Sequence, residues 1–412
     1  MARIRCNSGS RVRCNCTNSH SAARETAPGA SYQTRYWELV EQVIHAEKWG
    51  FDSFGVSEQQ YAIGGISTSC PEVLYAYLFP LTKTLRFAHA ITLLPKNINH
   101  ALRVASRTAV QDVLSNGRIE LGVGRGNTTL ALRAFEVDLE RNRDEVNEGI
   151  QVLKKAFTED PFMFYGEHYK IPPRSLVPKP LQTPHPPLYV AATSPESHKM
   201  AGDLGVGVYS WSNFMGYDAL AESVSAFRKA AAATKAKGEH VNESAGALVQ
   251  CYCAETDAIA EAEAGEGNLK WLRIALDGYP RLAKMAQSYA YMAKIDEVSR
   301  KTSDFRYFTD ASGAAIFGSP ESCIRSIERL AACGIDQCVM RIDSTSHANI
   351  MKSIEMFGRH VIPHFKNRQN FMRPAEDVMA DIRAMREKAR AMGIYVEGGE
   401  EKKKPVKPTA AE

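Results

Sequence analysis

Between residues 32 and 365 the chain switches repeatedly between two hydrophobic periods, and this alternation restricts its fold more than any other feature. A helical stripe over 32–49 carries Tyr36, Leu39, Val43 and Ile44 on one face and ends at Gly50, a residue suited to the turn after a helix. An apolar, β-type run over 51–58 follows directly. The pattern then repeats: helix 71–82, strand 85–94, helix 101–114, strand 118–124 and helix 143–157. After a proline-rich connection over 161–187 come strand 188–193, helix 195–204, strand 205–211, helix 217–237 and strand 247–254. Helix 320–333, strand 337–343 and helix 348–365 complete the set. Strands separated by helices pair in parallel through right-handed crossovers. The expected class is therefore α/β, as a (β/α)8 TIM barrel with a long insertion after the seventh strand and a C-terminal helical extension.

The alternation supplies seven strands, and a closed barrel of this type has eight. The missing one must precede helix 32–49, where the sequence supports it poorly. Residues 1–27 carry Arg3, Arg5, Arg11, Arg13 and Arg24 among serines, asparagines and three cysteines, with no continuous apolar run. Arg11–Cys14 is the best candidate there. The stretch otherwise reads as an irregular basic arm, with the composition of a transit peptide or of a misplaced start. The barrel domain is expected over 28–368. Within it, 255–318 exceeds an ordinary strand–helix loop and reads as a partly helical lid. A charged helix from Glu376 and a disordered Lys/Pro tail would fill 369–412.

Composition excludes several function classes. Across 412 residues, 44% are hydrophobic and 24% charged, as in an ordinary soluble globule. A net charge of +4 concentrated towards the ends gives no nucleic-acid footprint, and no apolar run has membrane-spanning length. Nine scattered cysteines favour a reducing compartment, so a cytoplasmic location is expected. Cys14 with Cys16 and Cys251 with Cys253 mimic metal spacings, but residues two apart on a strand merely share a face. No metal site is expected.

The most chemical stretch is the strand and turn from Arg118 to Gly126, which ends Gly-Val-Gly-Arg-Gly. Glycines permit close backbone approach and positive φ, and Arg125 between two of them offers a fork of donors to an anion. This is how the C-terminal face of a parallel barrel grips phosphate. The spacing is not that of a dinucleotide-binding turn, so no nicotinamide site is expected. A second anion-binding feature is Ser194-Pro195, an N-cap and first-turn proline that leave free N–H groups at a helix start.

Several ordered motifs together resemble one family, the bacterial-luciferase-like flavin monooxygenases, from about Pro28 to Phe365. They are Gly-Phe-Asp-Ser-Phe-Gly-Val-Ser-Glu, Asp-Val-Leu-Ser-Asn-Gly-Arg, Gly-Val-Gly-Arg-Gly, Val-Pro-Lys-Pro-Leu-Gln-Thr-Pro-His-Pro-Pro and Tyr-Ser-Trp. The resemblance implies an eight-stranded barrel that binds reduced FMN at the strand C-termini and uses O2. It places the flavin phosphate on Arg125 and Arg143, with a hydroxyl from Ser197. It puts a non-proline cis peptide at Ala90–Ile91, beneath the flavin ring. Gly124, Gly126, Asn127, Ala192, Thr193, Ser194 and Trp211 match other flavin-lining positions. A surface ion pair is the alternative role for each arginine, and a barrel-capping core residue that for Trp211.

One departure matters. Where the luciferases have Glu-His-His after the second strand, this chain has Glu58-Gln59-Gln60. Glutamine forms hydrogen bonds but exchanges no protons near neutral pH. Proton transfer would then fall to Glu58, His89, His100 or water, with Gln59 as a hydrogen-bonding group facing the oxygen chemistry. The resemblance implies an FMN-dependent monooxygenase acting on a small organic substrate, fed by a separate flavin reductase and assembled as a homodimer or heterodimer. Two alternatives share the fold: a deazaflavin-dependent hydride-transfer oxidoreductase and a non-catalytic flavoprotein.

Overall fold

Eight parallel strands hydrogen-bond around a closed ring. The computed structural model describes residues 13–17, 31–61, 68–294 and 304–366. In chain order the elements begin with β1 (Arg13–Thr17), α1 (Tyr32–Lys48), β2 (Ser53–Val56), α2 (Pro71–Leu78), β3 (Arg86–Leu93), α3 (Ala101–Leu114) and β4 (Ile119–Gly124). The middle holds α4 (Thr129–Ala134), α5 (Asn142–Thr158), β5 (Phe162–Tyr165), β6 (Lys170–Arg174), β7 (Leu188–Ala192), α6 (Pro195–Asp203), β8 (Gly207–Ser210) and α7 (Tyr217–Ala236). The last part holds β9 (Ala245–Cys253), α8 (Asp257–Ala260), α9 (Glu266–Met285), β10 (Ala315–Gly318), α10 (Pro320–Ala332), β11 (Gln337–Arg341) and α11 (His347–Met356).

The ring runs β1-β2-β3-β4-β7-β8-β9-β11 and returns to β1. Strands β2, β4, β8 and β11 are buried at every position, as expected where helices cover the outside and side chains fill the inside. Inside, the rings of Tyr189 and Tyr209 stack at 4.3 Å and pack with Val339, Leu248, Ala90 and Ile91. Those two rings need space: a Cβ on Gly122 would come within 2.8 Å of the Tyr209 ring, and one on Gly207 within 2.5 Å of the Tyr189 ring. The stacked tyrosines thus floor the barrel and leave its upper mouth open.

Three expectations change. The first strand is Arg13–Thr17, two residues beyond the start of the Arg11–Cys14 candidate, so the expected irregular arm contains the closing strand. Asn15 pairs in register with both Val339 and Ser53. Main-chain bonds to two neighbours suffice for a short strand without an apolar run, which is why periodicity missed it. Secondly, the 161–187 connection contains the antiparallel β5–β6 hairpin. Thirdly, the 255–318 insertion ends in β10, which lies parallel to the upper half of β9 while β11 takes the lower half of the same edge. The helix and tail expected beyond residue 368 lie outside the described residues.

Cys14 and Cys16 fall on β1, and Cys251 and Cys253 on β9, in keeping with strand positions that share a face. No helix among the described residues is long and apolar enough to cross a membrane.

Two expected outcomes test this architecture. Proline at Asn15 removes a ladder donor from a strand paired on both sides, so Asn15→Pro should cost about 3 kcal/mol or more, read as a lowered denaturation midpoint. His89 is buried between β3 and the helices, and burial holds its pKa down to about 4. An unfolded histidine titrates near ~6.5, so the unfolded chain binds protons that the folded His89 refuses. Its contribution is present above about pH 6.5 and is lost as pH falls towards 4. Urea unfolding across that window should show a shallower acid limb for His89→Gln than for the parent.

Candidate active site

A cavity of about 360 Å³ opens at the C-terminal ends of the strands, beneath the insertion. Its walls come from the ends of β2, β3, β4, β7, β8 and β11, and its roof from α9 and a 3-10 helix at Gln287–Lys294. This is where a parallel barrel gathers residues distant in sequence.

Glu58 stands at the top of β2 with 4% of its surface exposed. Its carboxyl oxygens accept from the Leu93 N–H at 3.0 Å, from Asn99 Nδ2 at 3.0 Å and from Gln60 Nε2 at 2.9 Å. Its own N–H donates to the Ile91 carbonyl at 2.9 Å. Glu58 therefore acts first as a clamp on the end of β3. That strand carries the Ala90–Ile91 bond, which is cis as the resemblance implies, and both residues line the cavity.

Gln59 borders the cavity with its side chain held between Ser57 Oγ (3.4 Å) and Thr128 Oγ1 (3.2 Å). His89 does not reach it. The ring faces outward, bonded to Gln111 on α3 at 3.0 Å and packed edge-on against Tyr75 on α2, with burial keeping it neutral. A catalytic role for His89 does not fit this placement: it sits on the helix side of the wall. His100 likewise caps α3, its Nδ1 accepting from the Leu102 N–H at 3.2 Å, with its ring against Tyr169.

The glycines of the turn divide their work. A Cβ on Gly124 would lie 2.2 Å from Ile91 Cδ1, so this glycine lets the Ile91 side chain cross the wall. Gly126 has φ +82° and turns the chain towards α4. Arg125 between them lies over the Tyr289 ring at 4.3 Å and donates from Nη2 to the Tyr291 hydroxyl at 3.3 Å. Its Nη1 is buried without a hydrogen-bond partner. Asn127 donates to the Tyr279 hydroxyl at 2.9 Å.

Arg143 is exposed, at the start of α5, and holds the Ser288 carbonyl at 3.1 Å. That bond ties it to the roof. Ala192 and Thr193 line the cavity above β7. Ser194 and Ser197 form a reciprocal capping box at the start of α6, where Ser197 Oγ accepts from the Thr193 and Ser194 N–H groups. Beside them the Glu196 carboxyl is held below its usual range by a hydrogen bond from its own backbone and one from Ser194, with Arg143 adding to the pull. Trp211 lines the cavity in contact with Trp271 (6.0 Å between rings) and Tyr279 (5.6 Å).

Sequence reading missed Arg341 and the roof aromatics. Arg341, at the end of β11, is 2% exposed, pairs with Asp343 at 2.6 Å and bonds Gln250 at 2.8 Å. Burial lowers its pKa to about 10 while Asp343 pulls it back up, so it stays charged at neutral pH. Its guanidinium stacks on Trp271 at 3.7 Å and so docks the insertion on the barrel. The available signal was an Arg-x-Asp pair at the C-terminal end of an apolar strand. Tyr279, Tyr289 and Tyr291 had no signal, because they lie in the insertion.

Comparison with known proteins agrees with this architecture. The sequence profile described as luciferase-like monooxygenase matches residues 15–337. The FMNH(2)-dependent dimethylsulfone monooxygenase of Pseudomonas putida is 28% identical over 327 residues, which is 77% of this chain and 85% of that protein. Among solved structures, the oxygenating constituent of 3,6-diketocamphane monooxygenase from Pseudomonas putida, in complex with FMN, superposes with a TM-score of 0.66 at 22% identity. That match covers 88% of this chain and 99% of the other. The coenzyme F420-dependent tetrahydromethanopterin reductase of Methanopyrus kandleri has a TM-score of 0.61 at 18% identity, covering 86% and 99%. At these identities the two structures speak to the fold alone. The profile match spans most of the chain, and the chain belongs to the luciferase-like monooxygenase family.

Proposed function

We propose that this chain is the oxygenase of a two-component system, using reduced FMN and O2 to oxygenate a small organic molecule. One observation carries the reading: the cavity ends at Arg125, whose Nη1 is buried with no partner in the protein. A buried guanidinium nitrogen left without an acceptor is costly unless an anion arrives. Thr193 lies on the same side and supplies a hydroxyl, while the N–H groups at the start of α6 are engaged in its capping box. The residues present therefore fit a flavin with a 5′-phosphate, its ring against Ala90, Ile91 and Trp211.

Bound reduced flavin supplies the activation of O2 and the transfer of one oxygen atom to the substrate. The chain's own residues bind, orient and exclude water. Gln59 presents an amide at the mouth of the cavity, where it donates or accepts hydrogen bonds without changing charge. Trp211, Trp271 and Tyr279 make an aromatic wall that favours an apolar or planar substrate portion. Glu58 keeps β3 in place. A separate reductase is part of the proposal: the chain has no nicotinamide-binding turn, and the P. putida relative is named for its dependence on FMNH(2).

The deciding experiment is an anaerobic titration with reduced FMN and with a reduced deazaflavin, followed by fluorescence. Tighter FMN binding supports the proposal, and tighter deazaflavin binding replaces it with hydride-transfer chemistry. Two variants sharpen the assignment. Arg125→Ala should weaken FMN binding by roughly 1.5–3 kcal/mol, the range for a charge-assisted hydrogen bond, and leave riboflavin binding nearly unchanged. Equal losses for both ligands would remove Arg125 from the phosphate. Gln59→His should add an apparent pKa near ~6.5 to the pH profile of O2 consumption with reduced FMN. A profile that matches the parent's would place residue 59 away from the chemistry.

A further inference from the structure

We infer that the 3-10 helix Gln287–Lys294 is a phosphate-sensing latch, with the Tyr291 hydroxyl as a further phosphate ligand. The inference rests on the flavin reading above and adds to it a coupling between cofactor and roof. The tyrosine hydroxyls of this segment are tied to residues around the anion end of the cavity, and its first residues to the loop before α5. Tyr291 Oη lies 2.8 Å from Thr193 Oγ1 and accepts from Arg125 Nη2 at 3.3 Å. Tyr289 places its ring under the Arg125 guanidinium, accepts from Asn142 Nδ2 at 2.9 Å and donates to the Gly126 carbonyl at 3.3 Å. Arg143 holds the Ser288 carbonyl, and the Glu140 carboxylate accepts from the Gln287 and Ser288 N–H groups at 2.7 and 3.2 Å.

The chemistry follows from proton counting. Either hydroxyl of the Tyr291–Thr193 pair can donate; when Thr193 donates beside Arg125, the phenolic proton is free for an acceptor. Arg125 Nη1 still has none. A phosphate drawn to Arg125 accepts from both, and so ties the roof to the barrel wall. A flavin without phosphate leaves both donors unused. The latch thus makes the strength of roof closure respond to the phosphate, adding ties to those that already hold the segment.

The test compares the full chain with Tyr291→Phe, measuring dissociation constants for FMN and riboflavin together with hydrogen exchange over Tyr289–Met292. Loss of one hydrogen bond to a charged group should weaken FMN binding roughly 10- to 100-fold and leave riboflavin binding unchanged. FMN should slow exchange of the segment in the parent but not in the variant, and riboflavin in neither. Unchanged FMN affinity in Tyr291→Phe overturns the latch while leaving the flavin reading intact. Tighter FMN binding in the variant also overturns it, by making Tyr291 a plug that phosphate must displace. Equal losses for both flavins reduce Tyr291 to a packing residue. A parent chain that binds no FMN removes the flavin reading and the latch with it.

Discussion

The buried carboxyl of Glu58 holds the mouth of the barrel in shape. It gathers the Leu93 N–H, the Asn99 amide and the Gln60 amide, while its own N–H engages the Ile91 carbonyl. These bonds span the top of β2, the end of β3 and the loop before α3. Without them, the Leu93 N–H would be left buried and unsatisfied, at about 1–3 kcal/mol, and the Asn99 amide would keep only its bond to the Leu93 carbonyl. Ala90 and Ile91, the part of the wall nearest the floor tyrosines, are carried on the segment that this carboxyl positions. A carboxyl of a type suited to proton transfer thus has both oxygens engaged in holding the cavity wall.

The cationic groups show a similar division. Arg125 and Arg143 were both expected at the phosphate. The structure sets Arg125 in the cavity wall, while Arg143, exposed at the start of α5, donates to the Ser288 carbonyl and lies near enough to Glu196 to pull on its carboxyl. Arg341, neutralised by Asp343 and stacked on Trp271, fastens the insertion to the last strand. Stacking on an aromatic face and pairing with a carboxylate at once suits a planar guanidinium and not an ammonium. The insertion is therefore attached to the barrel at several places, among them Arg341 at one side of the cavity, Asn127 bonded to Tyr279, and Gln287–Lys294 at the other side.

Much of this was legible beforehand because its cause is local. Hydrophobic period alone located seven of the ring's strands within a few residues, and Ser194-Pro195 marked the start of α6. The glycine turn with Arg125 was readable as a strand end, and the family resemblance pointed to the lining positions Asn127, Thr193 and Trp211. β1 was not, since its evidence is a pair of backbone ladders to β2 and β11, partners far away in sequence. His89 was misplaced for a related reason. Around Ala90–Ile91 the β3 register shifts between His89 and Thr92, so simple alternation does not say which side of the wall a side chain faces.

The sequence by itself determined the α/β class, the order of the elements and the position of a cationic glycine turn at a strand end. Periodicity, capping and turn chemistry are properties of a few neighbouring residues, and they survive without tertiary contacts. Only the tertiary structure decided that β1 closes the ring, that Glu58 is a clamp, that His89 faces the helices, and that Tyr289 and Tyr291 meet Arg125 from more than 160 residues away. Each of these depends on which distant groups share a buried space. Burial leads most polar atoms to find a partner, and which ones do is settled only when the whole chain has packed.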